Sequence, residues 1–303
     1  FMSEIIVFGG VNLDQVVYLP RPPKEGETLE GQSVQTFLGG KGANQAVALS
    51  RLGASVSFVG NVGKDAFGEE LTSALLDEGL DLSMLSSVDE KTGTALINVF
   101  ENSDNQIIYV PGANKSTNHN QVTSESLEEA KLVVSQMEVN TEEVEKFFVN
   151  SKDKNCLTIL NVAPFKMPSK KLLNYTDVLV FNELEFSLFL GLETSKFLDL
   201  DSLKEKITSL DIDDRSSLIV TLGERGLVCY KNSTLDYIAG YSVEAIDTVG
   251  SGDCFIGALT FSLLEGKSLK ESCKFANKSA AISVTRKGAA ASMPTIEEVV
   301  NFS

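Results

Sequence analysis

Short apolar runs and amphipathic segments alternate along most of the chain. The apolar runs are as long as buried strands, and the segments between them repeat apolar residues every three or four positions, as helices do. This alternation predicts an α/β fold, with a mostly parallel central sheet flanked by helices. The clearest predicted strands are Ile5–Phe8, Val56–Val59, Val178–Phe181 and Leu218–Thr221, and the clearest predicted helices are Ala43–Leu52, Phe67–Leu76, Phe255–Leu264 and Leu269–Thr285.

Two segments, residues 14–38 and 94–110, interrupt this alternation. The first combines alternating apolar positions with proline-rich turns, and the second contains two strand patterns, Thr94–Phe100 and Gln106–Val110, joined by polar residues 101–105. Together they predict a small antiparallel β lid inserted into the α/β body, where it would exclude water from a reaction. Extra edge strands on the main sheet are the alternative. No linker or repeat divides the chain, so we expect one domain over residues 1–303.

Composition and charge narrow the classes of partner. The 303 residues are 43% hydrophobic and 22% charged, as in an ordinary globular protein. The formal net charge of −16 argues against nucleic acid, because phosphate backbones bind basic surfaces. A phosphorylated substrate is still allowed, since backbone dipoles create local positive potential. No apolar stretch approaches the ~18 residues of a membrane helix, so we expect no membrane association.

The cysteine and histidine content argues against a zinc site. The four cysteines form no CxxC pair, and His119 is the only histidine. The first apolar run has the length of a strand, and no cationic segment precedes it, unlike a signal peptide. Unpaired cysteines without a secretion signal favour a reducing, cytoplasmic location. The cysteines are Cys156, Cys229, Cys254 and Cys273.

The strongest local signal is the run Asp247-Thr248-Val249-Gly250-Ser251-Gly252-Asp253, just before a predicted helix. Glycines allow unusual backbone dihedrals, and amides at a helix start form an anion site. In phosphoryl transfer, Asp253 would accept the proton of an attacking hydroxyl, and the amides of Gly250, Ser251 and Gly252 would stabilise the transferring phosphoryl group. The alternative from the pattern alone is that Asp253 caps the helix.

A second glycine-rich run, Gly39-Gly40-Lys41-Gly42-Ala43-Asn44-Gln45, also opens a helix. It contains no GxxxxGK[ST] sequence, and Gln45 occupies the third glycine position of GxGxxG, so neither common nucleotide motif is present. The absence of GxGxxG after the first strand also disfavours a dehydrogenase. Lys41 and Asn44 could hydrogen-bond sugar hydroxyls. A purely structural glycine-rich turn is the alternative.

Three further polar elements follow predicted strands, where ligands collect in α/β sheets. Asn12 and Asp14, two residues apart on extended backbone, would share a face and suit a vicinal diol, although an Asx turn is also possible. Glu185 in Asn182-Glu183-Leu184-Glu185 could reach hydrated Mg²⁺ through water, or could cap a helix. The run Thr221–Gly226 by itself predicts only a turn.

The order and spacing of these elements resemble the phosphofructokinase-B family of carbohydrate kinases, from about Glu4 to the end of the chain. The run Gly39–Ala48 resembles the N-terminal motif of that family, and Asp247–Asp253 resembles its C-terminal motif. The run Thr285–Ala289 resembles a sequence characteristic of its ribose kinases. The resemblance implies ATP, Mg²⁺ and a monovalent cation, usually K⁺, as cofactors.

The resemblance also implies the site residues. It implies a sugar site of Asn12, Asp14, Gly39, Gly40, Lys41, Asn44, Glu138 and Asp253. It implies nucleotide contacts from Asn182, Thr221, Leu222, Gly223, Glu224, Arg225, Gly226, Gly252, Asp253 and Asn277. Glu185 would lie in the magnesium-associated element. The monovalent cation would be held by Asp247, Val249, Ser283, Arg286, Gly288 and Ser292, several of them through backbone carbonyls.

We therefore expect phosphorylation of a small sugar by ATP, with the 5-hydroxyl of D-ribose as the first acceptor to test and a homodimer formed through the lid. Related acceptors remain open: 2-deoxyribose, fructose, a keto-deoxy sugar acid or a nucleoside. Asp14 favours a neutral polyol as the acceptor. An acidic sugar would instead require an arginine facing the site, and a nucleoside would require an aromatic side chain that stacks on the base. A binding regulator without turnover is the other alternative, and the intact Asp253 and glycines argue against it.

Overall fold

The computed structural model describes residues 3–101, 105–192, 199–210 and 216–302. The strands of the central sheet are β1 (Ile5–Phe8), β4 (Val56–Gly63), β5 (Leu85–Val88), β8 (Leu132–Ser135), β9 (Leu157–Asn161), β10 (Val178–Asn182), β11 (Ser217–Thr221), β12 (Leu227–Lys231) and β13 (Thr234–Ile238). The strands of the second sheet are β2 (Asn12–Leu19), β3 (Ser33–Gly39), β6 (Thr94–Phe100) and β7 (Asn105–Val110). The helices are α1 (Lys41–Arg51), α2 (Ala66–Asp77), α3 (Ser124–Glu129), α4 (Thr141–Asp153), α5 (Lys170–Asn174), α6 (Glu183–Phe189), α7 (Leu200–Thr208), α8 (Ser251–Leu264), α9 (Leu269–Ser283) and α10 (Ile296–Asn301).

The central sheet has the strand order β13-β12-β11-β10-β9-β8-β1-β4-β5. Pairing is parallel from β11 through β5, and β12 and β13 add an antiparallel edge. The mostly parallel sheet predicted from the alternation of apolar runs is thus confirmed. Parallel strands are covered on both faces, which explains why they appear in the sequence as unbroken apolar runs.

Side chains of the central strands alternate between two hydrophobic layers. Ile5 and Val7 join the layer that contains residues of α1, α8 and α9. Ile6 and Phe8 join the opposite layer, where Phe8 stacks on Phe147 of α4 with ring centroids 4.8 Å apart. Among the described residues, no helix combines the length and the apolar character needed to cross a bilayer.

The second sheet has the order β3-β2-β6-β7 and is separate from the main sheet, as predicted for a lid. Its two hairpins, β2–β3 and β6–β7, are antiparallel, and a parallel pairing of β2 with β6 joins them. The alternative of extra edge strands on the main sheet is therefore wrong. Part of the predicted turn 101–105 lies outside the described residues.

The starts of the two helices that follow the glycine-rich runs differ from the predictions. Helix α1 begins at Lys41 and not at Ala43, and α8 begins at Ser251, four residues before the predicted Phe255. Both first turns are polar, so apolar periodicity detects the helix only after it has begun. The residue before each helix is a glycine at positive φ, 90° at Gly40 and 76° at Gly250. At the other end, α9 stops at Ser283, two residues short of the prediction.

Candidate active site

The predicted site residues that follow β1, β8, β10 and β11 lie at the carboxyl edge of the central sheet, where the parallel strands end together. Register pairs Phe8 with Ser135 and Asn182 with Thr221, so the segments that follow β1, β8, β10 and β11 emerge side by side. In open α/β sheets this edge is where ligands bind. The helices α1 and α8 begin above it.

The first turn of α1 lies directly against the backbone after β1. A Cβ on Gly40 would lie 2.7 Å from the carbonyl oxygen of Gly10, and one on Gly42 would lie 2.8 Å from the carbonyl carbon of Gly9. A Cβ on Gly39 would overlap the carboxylate of Asp14. These glycines therefore allow the backbones to approach closely. This approach brings Lys41 and Asn44 into the space between the carboxyl edge of the sheet and the starts of α1 and α8, which is called the cleft below.

The carboxylate of Asp253 is buried and held by two side-chain amides of α1. Asn44 Nδ2 donates to Oδ2 at 3.0 Å, and Gln45 Nε2 donates to Oδ1 at 2.9 Å. Asp253 is 5% exposed and lies within α8, whose N-cap is Gly250. The helix-cap alternative for Asp253 is therefore wrong, and α1 fixes the orientation of the carboxylate.

Three polar residues of the cleft were missed by the sequence analysis. Gln45 lies within the quoted glycine motif, and Gln136, directly after β8, donates from Nε2 to Gln45 Oε1 at 2.6 Å. Asn114 donates from Nδ2 to Asn12 Oδ1 at 2.8 Å and accepts from the amide of Val11 at 3.0 Å. Only its place after a strand could have pointed to Gln136, and no pattern marks Asn114.

Lys41 lies among carboxylates. Its amide donates to Glu138 Oε2 at 2.8 Å. Attraction to Asp253 raises the pKa of the Lys41 ammonium, with burial opposing it and Glu138 and Glu185 adding to it. The charge of Lys41 thus offsets part of the negative potential that these carboxylates create.

Burial raises the pKa of two carboxyl groups in the cleft. The pKa of Asp14 rises to about 7, with the charges of Glu138 and Asp253 adding to the effect of burial. The pKa of Glu138 also rises to about 7, mainly through burial, although Lys41 opposes the shift. Asp14 lies inside β2 opposite Phe37 of β3, so the Asx-turn alternative for this residue is wrong. Shifts of this kind are typical of functional sites.

The residues predicted to contact a nucleotide lie on neighbouring strand ends. Asn182 caps α6 by accepting from Glu185 N at 2.7 Å, while Glu185 Oε2 accepts from Asn182 N at 2.9 Å, so the capping role proposed as the alternative for Glu185 is present. Burial raises the pKa of Glu185. After β11, Leu222 is buried, and Glu224 is exposed in a turn bounded by glycines at positive φ, Gly223 and Gly226.

Two side chains anchor the edges of this region. The guanidinium of Arg225 pairs with Glu183 at 2.6 Å, which ties the turn after β11 to the start of α6. On α9, Asn277 donates from Nδ2 to the carbonyl of Ala239 at 2.8 Å.

The residues predicted to hold a monovalent cation join two loops. Asp247 accepts from Val249 N at 3.0 Å and from Gly288 N at 2.9 Å. The hydroxyls of the buried Ser283 and Ser292 donate to carbonyls of their own turns. Arg286 pairs with Glu298 at 2.7 Å. The described residues contain no cluster of three carboxylate, cysteine or histidine side chains that could hold a metal ion.

Comparison with known proteins identifies the class: the chain is a carbohydrate kinase. It matches the description "pfkB family carbohydrate kinase" over residues 2–296 and belongs to that family. It is 36% identical to a ribokinase of Haemophilus influenzae over 99% of this chain and 98% of the relative. It is 32% identical to a deoxyribokinase of Salmonella typhi over 97% of each chain. The solved structure of an Arabidopsis thaliana ribokinase complexed with ribose and ATP matches with a TM-score of 0.89 and 31% identity, covering 100% of this chain and 99% of that one.

Proposed function

We propose that the protein transfers the γ-phosphoryl group of ATP to the 5-hydroxyl of D-ribose. The observation that carries the proposal is the buried Asp253 carboxylate, fixed by Asn44 and Gln45 at the start of α8. Similarity to the Haemophilus ribokinase and to the Arabidopsis complex supports ribose and ATP as the substrates. In this role Asp253 takes the proton of the sugar hydroxyl while the hydroxyl oxygen attacks the γ-phosphorus, the bond from that phosphorus to the β–γ bridging oxygen breaks, and ADP leaves.

The start of α8 has the features of an anion hole. The first amides of a helix lack intrahelical partners, and the helix dipole favours negative charge there. Gly252 is exposed, and a Cβ on it would meet nothing within 4 Å, so the space over this turn is open to a phosphoryl group. The amide of Ser251 makes only a long hydrogen bond of 3.3 Å to Thr248 O. Gly250, Ser251 and Gly252 would together stabilise charge on the transferring group.

The sugar would lie between β2 and α1. Asn44 Nδ2 donates to Asp253, and Asn44 Oδ1 is buried without a hydrogen-bond partner among the described residues. A buried acceptor of this kind calls for a donor, and a sugar hydroxyl supplies one. Asp14 adds a carboxylate that can accept from two hydroxyls, and Lys41 and Glu138 supply opposite charges close by. These contacts suit a neutral polyol.

We propose that Glu185 and Asn182 contribute to the magnesium–nucleotide site. Glu185 uses Oε2 to accept from Asn182 N, which leaves Oε1 to accept from a water molecule of hydrated Mg²⁺. Bound Mg²⁺ would neutralise charge on the β- and γ-phosphates. Asn182 uses its oxygen in the cap, so its amide nitrogen can donate to a phosphate.

We propose a monovalent cation between the loops at residues 247–250 and 286–292. Carbonyl oxygens replace the hydration shell of K⁺ in proteins, and Asp247 already joins these two loops through hydrogen bonds. A Cβ on Gly250 would lie 2.8 Å from Ala289 Cα, so the second loop also packs against the start of α8. A cation here would hold the anion-hole backbone without contacting the sugar.

We also propose that the protein dimerises through the lid. By strand register, four apolar side chains share the lid face opposite Asp14, and each is more than a third exposed: Val34, Leu96, Ile108 and Val110.

Ile108→Lys should give a monomer in sedimentation experiments. Val300→Lys, at an exposed position of α10 and outside the four lid strands, should leave the dimer intact; a dimer in both variants would argue against the lid interface. The cytoplasmic location stays a prediction.

A substrate panel tests the proposed reaction. ADP release should be coupled to NADH oxidation with D-ribose, 2-deoxyribose, fructose, a keto-deoxy sugar acid or a nucleoside as acceptor, and with ATP alone as the background. We expect the highest kcat/KM with ribose. A preference for 2-deoxyribose would favour the second candidate, which the similarity to the Salmonella deoxyribokinase supports. No turnover with any acceptor would contradict a kinase function.

A further inference from the structure

Behind Asp253 runs a buried chain of side-chain amides that reaches from α8 to the end of β8. Gln136 Nε2 donates to Gln45 Oε1 at 2.6 Å, and Gln45 Nε2 donates to Asp253 Oδ1 at 2.9 Å and to Asn161 Oδ1 at 3.3 Å. Both glutamines are completely buried. The side chain of Gln45 therefore uses its oxygen and both N–H groups.

The carboxylate sets the direction of this chain. An ionised carboxylate only accepts hydrogen bonds, so Gln45 must turn its NH₂ group towards Asp253. Its oxygen then points to Gln136, which must also present NH₂. Gln136 Oε1 is buried and has no hydrogen-bond partner among the described residues. The orientation of Gln136 is therefore set by the hydrogen bond that it donates to Gln45.

The surrounding backbone makes room for this arrangement. A Cβ on Gly9, at the end of β1, would overlap Gln136 Oε1. Asn161 ends β9 and donates from Nδ2 to Val180 O at 3.4 Å, so its oxygen remains turned towards Gln45. Three adjacent strand ends thus hold the two glutamines in one orientation.

We propose that Gln45, backed by Gln136, is a positioning residue for phosphoryl transfer: it holds the Asp253 carboxylate in the orientation that accepts the proton of the acceptor hydroxyl. This inference rests on the proposed function of Asp253. Gln45 touches neither substrate in this role, and Gln136 acts only through Gln45. Loss of either residue should therefore lower kcat while leaving KM for ATP nearly unchanged.

The test compares near-isosteric methionine variants. Gln45→Met removes a donor to a charged group and should lower kcat roughly 10- to 100-fold, whereas Gln136→Met removes a neutral hydrogen bond and should lower it roughly 2- to 10-fold. The double variant should match Gln45→Met within about twofold, because the effect of Gln136 passes through Gln45. KM for ATP should stay within about twofold in each variant, since a residue that only orients the base affects kcat.

Gln121→Met is the matched control. Gln121 Nε2 donates to Gly60 O at 3.0 Å and to Asn61 Oδ1 at 2.9 Å, both on β4 and neither among the proposed site residues. This variant should lose stability, measured by urea unfolding, but keep its kcat. If Gln45 and Gln136 are only structural, Gln45→Met and Gln136→Met will each lose stability and keep kcat, like Gln121→Met. Alternatively, their effects on kcat will be independent and will multiply in the double variant. Either result overturns the inference.

Asp253→Asn separates this inference from the function on which it rests. If Asp253→Asn abolishes turnover and Gln45→Met does not lower it, the inference alone is wrong. If Asp253→Asn retains normal turnover, the proposed role of Asp253 is wrong, and the positioning role falls with it. Should Gln45→Met be unfolded, Gln45→Glu keeps the size and hydrogen-bonding length of the side chain. Its second carboxylate against Asp253 should lower kcat, and unchanged kcat in that variant also overturns the inference.

Discussion

The starts of α1 and α8 look alike in sequence and differ in what their glycines do. Each helix follows a glycine at positive φ, and neither N-cap makes a side-chain hydrogen bond. At α1, a Cβ on Gly42 would lie 2.8 Å from the backbone of Gly9, whereas a Cβ on Gly252 of α8 would meet nothing. One set of glycines permits backbone to pack on backbone, and the other leaves room for a ligand.

This difference divides the chemistry of the cleft. The start of α1 contributes side chains, with Lys41 among carboxylates and Asn44 and Gln45 on Asp253. The start of α8 contributes open backbone and one carboxylate, which α1 holds in place. The proposed catalytic carboxylate is therefore held by both helix starts, and a substitution at either start should alter the reaction through Asp253.

The largest effect is expected where the two helix starts meet. Asp253→Asn removes the proposed proton acceptor and should lower kcat by about 10²–10⁴-fold, the usual contribution of a general base. ATP binding, measured by calorimetry, should persist. Asp201→Asn, whose side chain is 98% exposed on α7, is the control and should have normal activity. Normal turnover in a folded Asp253→Asn protein would mean that the carboxylate shared by the two helix starts does not take part in the reaction.

The next effect isolates the sugar side of the cleft. Asp14→Ala should raise KM for ribose about 10- to 100-fold, because leaving buried hydroxyls unpaired costs about 1–3 kcal/mol. KM for ATP should change little, since Asp14 lies in β2 of the lid. Steady-state kinetics with each substrate varied in turn measures both values. Unchanged ribose KM would reduce Asp14 to a structural residue of the strand.

The two glycine roles can be separated by a pair of alanine variants. Gly42→Ala forces a methyl group against the Gly9 backbone and should destabilise the protein by about 1–3 kcal/mol. Gly252→Ala should instead stabilise α8 by up to about 1 kcal/mol while lowering kcat, because the methyl group occupies the space for the phosphoryl group. Urea unfolding and kcat distinguish the two. Equal changes in stability would contradict the contrast between the helix starts.

Much of this architecture could be predicted from sequence, because buried parallel strands and glycine-rich helix starts leave local patterns. Ile5–Phe8 and Thr94–Phe100 are confirmed residue for residue. The amide chain behind Asp253 could not be predicted. Gln45 and Gln136 are 91 residues apart, and a single buried amide has no periodicity and no composition signal. The partner of a buried amide depends on which strand ends are adjacent in the fold. Predicting that partner therefore requires the strand order.

The sugar side should also respond to pH. The pKa of Asp14 is raised to about 7 from its ordinary 3.8. The contribution of the neutral Asp14 to the free energy of unfolding is therefore fully present below pH 3.8 and is lost as the pH rises through about 7. A protonated carboxyl accepts fewer hydroxyl donors. KM for ribose should therefore rise severalfold as pH falls from about 8 to about 6, while KM for ATP stays level.

Asp14→Asn tests the source of this pH dependence. The variant should show a shallower dependence of ribose KM on pH, with the remainder due to Glu138, whose pKa is also about 7. Its stability at pH 8 relative to wild type should increase, because the cost of burying the Asp14 charge is gone. An identical pH profile in the variant would assign the titration to other groups of the cleft.

The smallest expected effect is that of the monovalent cation. The cation would act on the start of α8 alone, so it distinguishes this helix start from that of α1. A cation held by carbonyls beside Asp247 would fix the backbone of residues 250–252 before the reaction begins, and such preorganisation acts mainly in the transition state. Replacing tetramethylammonium chloride by KCl at the same ionic strength should therefore raise kcat severalfold with little change in ribose KM. Asp247→Asn removes the charge and can keep only one of the two hydrogen bonds that Asp247 accepts from the loops, because an amide has a single acceptor oxygen; it should lose this activation. Equal rates in both salts for the unmodified protein would mean that packing between Gly250 and Ala289 is sufficient to hold the anion hole.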